Sequence, residues 1–405
     1  MSEYISFLDL RSDKVPKIIA ILIALSSITG GFLLSQPYYF GALALCGFVL
    51  IYRGNLKIYN SSIILFLLVC AFSLLINNPP SYFRAWDRLF VYTLVLMVVS
   101  PFLVSDYATK IRTKILYYFM QICIVLSIGS FFAYFLGINL FVRLGEQLEI
   151  SAGKFSGLTN HSMVLGPVAG LSCICLFVKI LSTKSRRESF FYAICTFIVL
   201  GSCLLSASRS AVGGAIIGCM FTLYRFYKGY FSKFFKIIFL IIILGTSSFS
   251  LWGGLTDFLV QKQVGNEEMG SAIFSRERKF TARILEFKSS PIYGIGYNIV
   301  IPEYDGVVME NGQIEPGSSW LAVASMTGII GLLVFIQICV RTMIKAWKIH
   351  DPYIGSTLGG ILLFFFFHMI AEGYIFAPKS FLSLLFWLTI AVIDGNSYKK
   401  ASFVK

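Results

Sequence analysis

Residues 190–223 read FFYAICTFIVLGSCLLSASRSAVGGAIIGCMFTL, an apolar run in which Arg209 is the only charged side chain. As one helix this run would extend about 51 Å, because an α-helix rises ~1.5 Å per residue. The hydrocarbon core of a bilayer is only ~30 Å thick. The run therefore predicts two membrane-spanning helices joined by a tight turn at SASRS, residues 206–210. Arg209 then lies at the membrane surface.

The whole chain has a membrane-protein composition. Of its 405 residues, 57% are hydrophobic and 13% are charged, and the mean hydropathy is +0.78. These values exceed those of soluble domains. We expect an all-α polytopic membrane protein, one transmembrane domain over residues 1–405, with about twelve spans. The predicted spans are residues 16–35, 38–52, 60–77, 89–105, 115–136, 161–181, 190–207, 210–224, 237–253, 318–340, 354–372 and 380–396.

The distribution of basic residues predicts the orientation. Lys and Arg concentrate in alternate loops, each with at least two of them, together with both termini. Such loops are cytoplasmic, so we expect both termini in the cytoplasm. The net charge of +14 follows from this arrangement, and no nucleic-acid partner is implied. The nine cysteines lie in apolar stretches, which favours core packing over disulfides or zinc.

The outer loops contain most of the polar residues that could do chemistry. The largest, residues 254–317 between spans nine and ten, is predicted to be periplasmic and to contain a short amphipathic helix with Phe280, Ile284 and Phe287 on one face. Arginines in outer loops suggest anion binding, because guanidinium groups match phosphate oxygens and stay charged. The candidates are Arg209, Arg276 and Arg278, with Arg84, Arg88 and Arg283 weaker.

Two histidines and a glutamate are further candidates. His368 and Glu372 are four residues apart near the outer end of span eleven, so on one helix they could face the same way as an acid/base pair. A purely structural role for both is an equal alternative. His161 begins span six, where a capping or packing role is the simpler interpretation. Glycine-rich phosphate loops, metal-ligand spacings and a serine-hydrolase elbow are missing, and we expect neither metal nor cofactor.

Four segments, taken in order, resemble the O-antigen ligase and polymerase superfamily of bacterial inner-membrane glycosyltransferases. They are GKFSGLTNHSMVLGPVAG, SASRSAVGG, SRERKFTARILEFKSSPIYGIGYN and GSSWLAVASMTGIIGLL, which lie between Gly153 and the end of span twelve at about Asp394. In the last segment Ser318, Gly328 and Gly331 fit the family spacing, but Gly317 stands where ligases of this family have histidine. This departure favours a polymerase over a ligase.

The resemblance implies a metal-independent enzyme acting on glycans linked to a polyprenyl diphosphate. Arg209 and Arg276, with Arg278 in reserve, would hold the diphosphate of the donor. Arg84, Arg88, His161 and Ser318 are further substrate-binding candidates, and the base is one of Glu372, His368, Glu315 and His161, with Glu372 first. The expected partners are the donor, a lipid-linked glycan or lipid A core as acceptor, membrane lipid and a chain-length regulator. A ligase, a transporter of lipid-linked glycans and a non-catalytic scaffold are the alternatives.

Overall fold

The computed structural model describes residues 14–29, 33–53, 56–58, 60–140, 155–228, 264, 274–305 and 314–402. These residues are mostly helical. The helices are α1 (Lys14–Ile28), α2 (Gln36–Arg53), α3 (Ser61–Asn77), α4 (Ala85–Val99), α5 (Asp106–Phe135), α6 (Ser162–Ser182), α7 (Arg186–Leu205), α8 (Arg209–Phe226), α9 (Phe274–Ser289), α10 (Pro302–Asp305), α11 (Ser319–Lys348), α12 (Pro352–Ala371) and α13 (Phe381–Ser402), with a 3-10 turn at Ser81–Phe83. A two-stranded antiparallel ladder pairs β1 (Lys57–Ile58) with β2 (Leu103–Val104).

Most predicted spans fall on helices of this set. Five described helices are long and apolar enough to cross a membrane, namely α5, α6, α7, α11 and α12. Three shorter apolar segments lie in α2, α3 and α13. The ninth predicted span, residues 237–253, lies outside the described residues. The chain is thus an all-α membrane protein, and twelve remains the predicted number of spans.

The long apolar run is divided as its length requires. α7 ends at Leu205 and α8 begins at Arg209, so three residues make the turn. Ala207, in the middle, has a φ of 51°, the left-handed backbone that reverses the chain sharply. Close packing holds α8 in place, because a side chain on Gly360 of α12 would lie 3.0 Å from the Gly218 carbonyl oxygen of α8. Small residues of this kind bring membrane helices together.

Helix α11 is broken where a loop inserts. Gly328 has φ 66° and ψ −169°, a conformation essentially restricted to glycine, inside an otherwise helical stretch. The Ile329 amide donates to the Pro291 carbonyl at 2.8 Å, and the Ile295 amide donates to the Ser325 carbonyl at 2.9 Å. The PIYGIG segment, residues 291–296, therefore pairs with the backbone groups that the break exposes, and it anchors the C-terminal end of α9 to α11.

The two ends of the bundle can be told apart by their contacts. At the first, which we call the arginine end, α6 and α8 begin and α12 ends. There the Asn77 side chain donates to the Gly294 carbonyl at 2.9 Å, and the Asn160 amide donates to the Ile28 carbonyl at 3.0 Å. At the opposite end, Lys345 of α11 forms an ion pair with Asp394 of α13 at 2.9 Å.

Candidate functional site

Arg209 is the first residue of α8 and is exposed at the arginine end. The turn before it contributes Ser206 and Ser208, which with Ser210 surround the arginine with small hydroxyl side chains. Arg209 therefore places an exposed positive charge at the end of the bundle.

Arg276, on the first turns of α9, bridges two carboxylates. Its Nη2 donates to Glu372 Oε1 at 2.6 Å, and its Nη1 donates to Glu315 Oε1 at 3.2 Å. The side chains of Arg276 and Glu372 are 18% and 17% exposed, so this pair is partly shielded from water. Each carboxylate lies on a segment flanking a different helix end, and Arg276 therefore connects α9, α11 and α12.

The position of Glu372 is fixed by its backbone. It caps the C-terminus of α12 with an extended conformation, φ −136°. Its carbonyl oxygen accepts from the Ser319 amide at 3.0 Å and from the Ser319 hydroxyl at 2.7 Å. The backbone of Glu372 is thereby held against the N-terminus of α11, and the carboxylate contacts Arg276.

A cavity of about 120 Å³ brings these side chains together. It lies between the beginnings of α6 and α8, the first turns of α9 and the end of α12, and it is lined by Ser162, Met163, Ser206, Ala207, Ser208, Arg209, Ser210, Arg276, Ala371 and Glu372. We call it the arginine cavity. Arg209 and Arg276, which are far apart in sequence, thus share one site with Glu372.

The groups that line the arginine cavity are of the kind that favours an anion. Two helices, α6 and α8, direct their N-termini toward it through Ser162 and Arg209. Helix N-termini carry partial positive charge and unpaired amide groups, and both stabilise bound anions. The lining thus contains two guanidinium groups and two helix N-termini against one carboxylate, Glu372, while Glu315 contacts Arg276 from outside the lining.

Lys279 completes the charged cluster one turn after Arg276 on α9. Its Nζ forms an ion pair with Glu315 Oε2. Burial opposes ionisation of Glu315, but the hydrogen bonds and positive charges of Lys279 and Arg276 outweigh it and lower its pKa. The carboxylate stays charged, which keeps both cations in place. The sequence predictions did not include Lys279, although its spacing of three from Arg276 on an amphipathic helix was the available signal.

His368 lies behind the cavity rather than in its wall. The expected pairing with Glu372 required one continuous helix, but α12 ends at Ala371 and Glu372 turns away from the helical path. His368 is 1% exposed and stacks on Phe364, with ring centroids 5.3 Å apart. On its other side is the Tyr374 ring at 5.6 Å. Of the two described residues, Glu372 alone lines the arginine cavity.

Two other candidates cap helices. His161 caps α6, since its Nδ1 accepts from the Met163 amide at 3.0 Å. Ser318 is buried and caps α11, and its hydroxyl donates to the Met369 carbonyl at 3.1 Å. Both side chains organise helix ends that adjoin the arginine cavity.

The remaining arginine candidates lie outside the arginine cavity. Arg278 is exposed on α9, Arg88 is half-buried on α4, and Arg84 forms an ion pair with Asp87 at 3.0 Å. Arg283 is fully buried and pairs with Glu286 at 2.9 Å. None of these four described residues lines the arginine cavity.

Gly317 has a structural reason to be glycine. Its φ is +79°, and a side chain there would lie 2.8 Å from Cβ of Lys279. The place where a histidine side chain would begin is therefore occupied by the lysine stem. Among the described residues, no group of three or more His, Cys, Asp or Glu side chains could hold a metal ion.

A comparison with known families matches the central part of the chain. No curated protein matches the chain. Residues 194–336 match the family model described as O-antigen ligase, a range that includes Arg209, Arg276 and the break at Gly328. Three of the four segments that carry the sequence resemblance lie largely within it. The part of the chain that supplies both arginines of the cavity is therefore similar to the family described as O-antigen ligase.

Proposed function

We propose that the protein is a membrane glycosyltransferase that polymerises glycan repeat units linked to polyprenyl diphosphate, at the periplasmic face of the bacterial inner membrane. The observation that carries the proposal is the arginine cavity, in which Arg209, Arg276 and Glu372 meet. Two guanidinium groups suit a diphosphate, and a carboxylate beside them suits proton transfer from a sugar hydroxyl.

In this scheme the donor diphosphate binds between Arg209 and Arg276. The N-termini of α6 and α8 add backbone donors and positive potential. As the bond between the anomeric carbon and the phosphate oxygen breaks, negative charge grows on the leaving diphosphate. Fixed arginines stabilise that charge without reorganising, which is the most effective form of electrostatic catalysis. Arg278, Arg84 and Arg88 then contact the glycan or lipid headgroups outside the cavity.

Glu372 is the proposed base. The acceptor hydroxyl oxygen forms the new bond to the anomeric carbon, and its proton passes to the Glu372 carboxylate. Without donor, Arg276 neutralises Glu372 at 2.6 Å, which weakens it as a base. A bound diphosphate shares the charge of Arg276, so Glu372 holds a proton more readily once the donor is present. The same arginine thus couples donor binding to activation of the acceptor.

The other predicted residues take supporting roles. His161 and Ser318 hold the ends of α6 and α11 beside the cavity. His368 is assigned to the packing behind the cavity, where it contacts Tyr374, and is not the proposed base. The two lipid anchors of the substrates confine them to the membrane surface, and this positioning supplies a large share of the rate enhancement. A chain-length regulator is a proposed partner of such a polymerase.

A ligase is the second candidate, favoured by the description of the matched family. It would transfer finished polymer to lipid A core or to another acceptor. Gly317 favours the polymerase, because ligases that resemble this chain have histidine at that position. Here the left-handed backbone and the adjacent Lys279 stem leave no room for a histidine side chain. A deletion strain separates the two by its glycan profile. Single repeat units on the acceptor identify a polymerase, and full-length polymer left on the polyprenyl carrier identifies a ligase.

The test of the site is Arg209→Lys in the deletion strain. Lysine keeps the charge but cannot bind phosphate through two parallel donors, so we expect loss of most polymer with normal membrane insertion. The matched control is Arg187→Lys, at an exposed arginine of α7 near the end opposite the cavity. Normal polymer in Arg209→Lys would exclude the diphosphate role, and an unchanged glycan in the deletion strain would exclude both enzymes.

A further inference from the structure

A second polar cavity lies at the end of the bundle opposite the arginine cavity. Its volume is about 260 Å³, and it lies between the start of α3, the C-terminal half of α11 and α13. Its polar lining residues are Asn60, Ser61, Ser62, Arg341, Thr342, Lys345 and Asp394. We call it the Arg341 cavity.

The acidic group of this cavity is neutralised within the protein. Asp394 is 1% exposed, and Lys345 Nζ contacts its Oδ1 at 2.9 Å. Asn60 Nδ2 donates to the other carboxylate oxygen, Oδ2, at 3.0 Å. Both oxygens of Asp394 are therefore engaged, and the carboxylate contributes little negative potential to a ligand.

Once Lys345 and Asp394 have neutralised each other, the positive charge of Arg341 remains in the cavity. Arg341 lies one helical turn before Lys345 on α11, so both side chains point to the same side. Its Nη1 donates to the Ser62 hydroxyl at 3.2 Å, and among the described residues it has no acidic partner. Ser62 is in the first turn of α3, where helix N-terminal amides add positive potential. The cavity therefore offers a forked cation, an ammonium group and hydroxyl donors, with a net positive charge.

The surroundings of the Arg341 cavity are apolar. Val340 and Ile344 on α11 and Leu65 on α3 are large hydrophobic side chains exposed on the same helices. Polar donors next to exposed apolar helix faces match an amphipathic molecule with an anionic head. Basic pockets between membrane helices are known to take lipid headgroups.

We infer that the Arg341 cavity binds the phosphate of an anionic phospholipid, whose acyl chains lie along the exposed faces of α3 and α11. The leaflet is the one opposite the arginine cavity. This inference is independent of the proposed glycosyltransferase activity, because no residue is shared between the two cavities. The lipid would tie α3, α11 and α13 together at this end.

The test measures lipid binding by the full-length protein purified in detergent. Phosphatidylglycerol, phosphatidylcholine or sodium phosphate is added, retained lipid is counted by native mass spectrometry, and thermal unfolding is recorded. The wild type should retain phosphatidylglycerol in preference to phosphatidylcholine. Arg341→Gln should weaken that binding by about tenfold, the loss expected for one charge-assisted contact. The matched control Lys348→Gln, an exposed cation on the same helix outside the cavity, should bind as the wild type does.

A second variant guards against misfolding. Lys345→Met combined with Asp394→Asn removes the buried pair without leaving one charge alone, and it should also weaken retention of phosphatidylglycerol. If sodium phosphate stabilises the wild type but not Arg341→Gln, without any lipid preference, a free anion is the ligand and the lipid assignment is overturned. Equal lipid retention by the wild type and Arg341→Gln, or equal loss in Lys348→Gln, also overturns it.

Discussion

Replacing Arg276 with lysine tests the central contact of the arginine cavity. Arg276 reaches Glu372 at 2.6 Å and Glu315 at 3.2 Å with two different nitrogens. A lysine has one ammonium group on a shorter reach and cannot keep this fork. Because Glu315 also pairs with Lys279 and is 56% exposed, the contact with Glu315 contributes little. The loss concentrates on Glu372 and on the bound diphosphate.

The expected loss of rate follows from the Arg276–Glu372 pair, which is partly shielded from water. A hydrogen bond between charged groups contributes about 1.5–3 kcal/mol. If the reaction loses that amount from its transition state, the rate falls by about 13- to 160-fold. The assay is the initial rate of polymer formation by purified protein supplied with lipid-linked repeat units. Arg187→Lys, the same exchange at an exposed arginine of α7 near the end opposite the cavity, is the matched control and should stay within about twofold of the wild type.

A double variant separates two roles of Arg276. If it acts only by orienting Glu372, then Arg276→Lys adds nothing to the loss caused by Glu372→Gln. If it also holds the diphosphate, the two losses combine, which is the result we expect. The reasoning fails if Arg276→Lys keeps at least half of the wild-type rate, or if Arg187→Lys loses as much.

Three further predictions concern the frame of the site. Gly328→Ala should lower the thermal unfolding temperature and the yield of folded protein, because a side chain there meets the backbone of Ile292, and the cost should exceed about 1–3 kcal/mol of backbone strain. Gly317→His should destabilise the protein and leave the glycan profile that of the parent enzyme, and adding Lys279→Ala should recover little of the stability, because alanine keeps the Cβ atom that a side chain at position 317 meets at 2.8 Å. The lowered pKa of Glu315 means that its stabilising effect is present above the ordinary carboxyl pKa and is lost as the pH falls through the lowered value. Glu315→Gln should therefore flatten the acid side of a plot of unfolding temperature against pH.

The helices were predictable because length and hydropathy restrict them strongly. The run at residues 190–223 could not be one span, and the structure divides it at the predicted turn. The break at Gly328 was not predictable in the same way, because residues 318–340 are continuously apolar and hydropathy contains no signal for a broken helix. The family spacing did mark Gly328, but its reason is tertiary, namely the PIYGIG segment that pairs with α11 there.

The site was predictable in its residue types and less so in its geometry. A charged side chain at a tight turn between two apolar helices must lie at the membrane surface, which is why Arg209 could be chosen from sequence. The pairing of His368 with Glu372 was inferred from helical spacing, and that spacing holds only while the helix continues. The hydrogen bonds from Ser319 hold the Glu372 backbone in another direction. Contacts between residues so far apart in sequence leave no mark on local periodicity.

The glycine at position 317 affects the roles that can be proposed for the residues around it. In ligases that resemble this chain a histidine is expected at this position, so its absence first suggests a lost base. The backbone of Gly317 is left-handed, and the aliphatic stem of Lys279 lies where a side chain at position 317 would begin. The volume next to position 317 is therefore occupied by a different cationic residue. That cation pairs with Glu315, which in turn holds Arg276 beside Glu372. A base at Glu372, controlled by Arg276, would therefore replace one at position 317, and the same set of contacts would account for both the departure and the proposed polymerase.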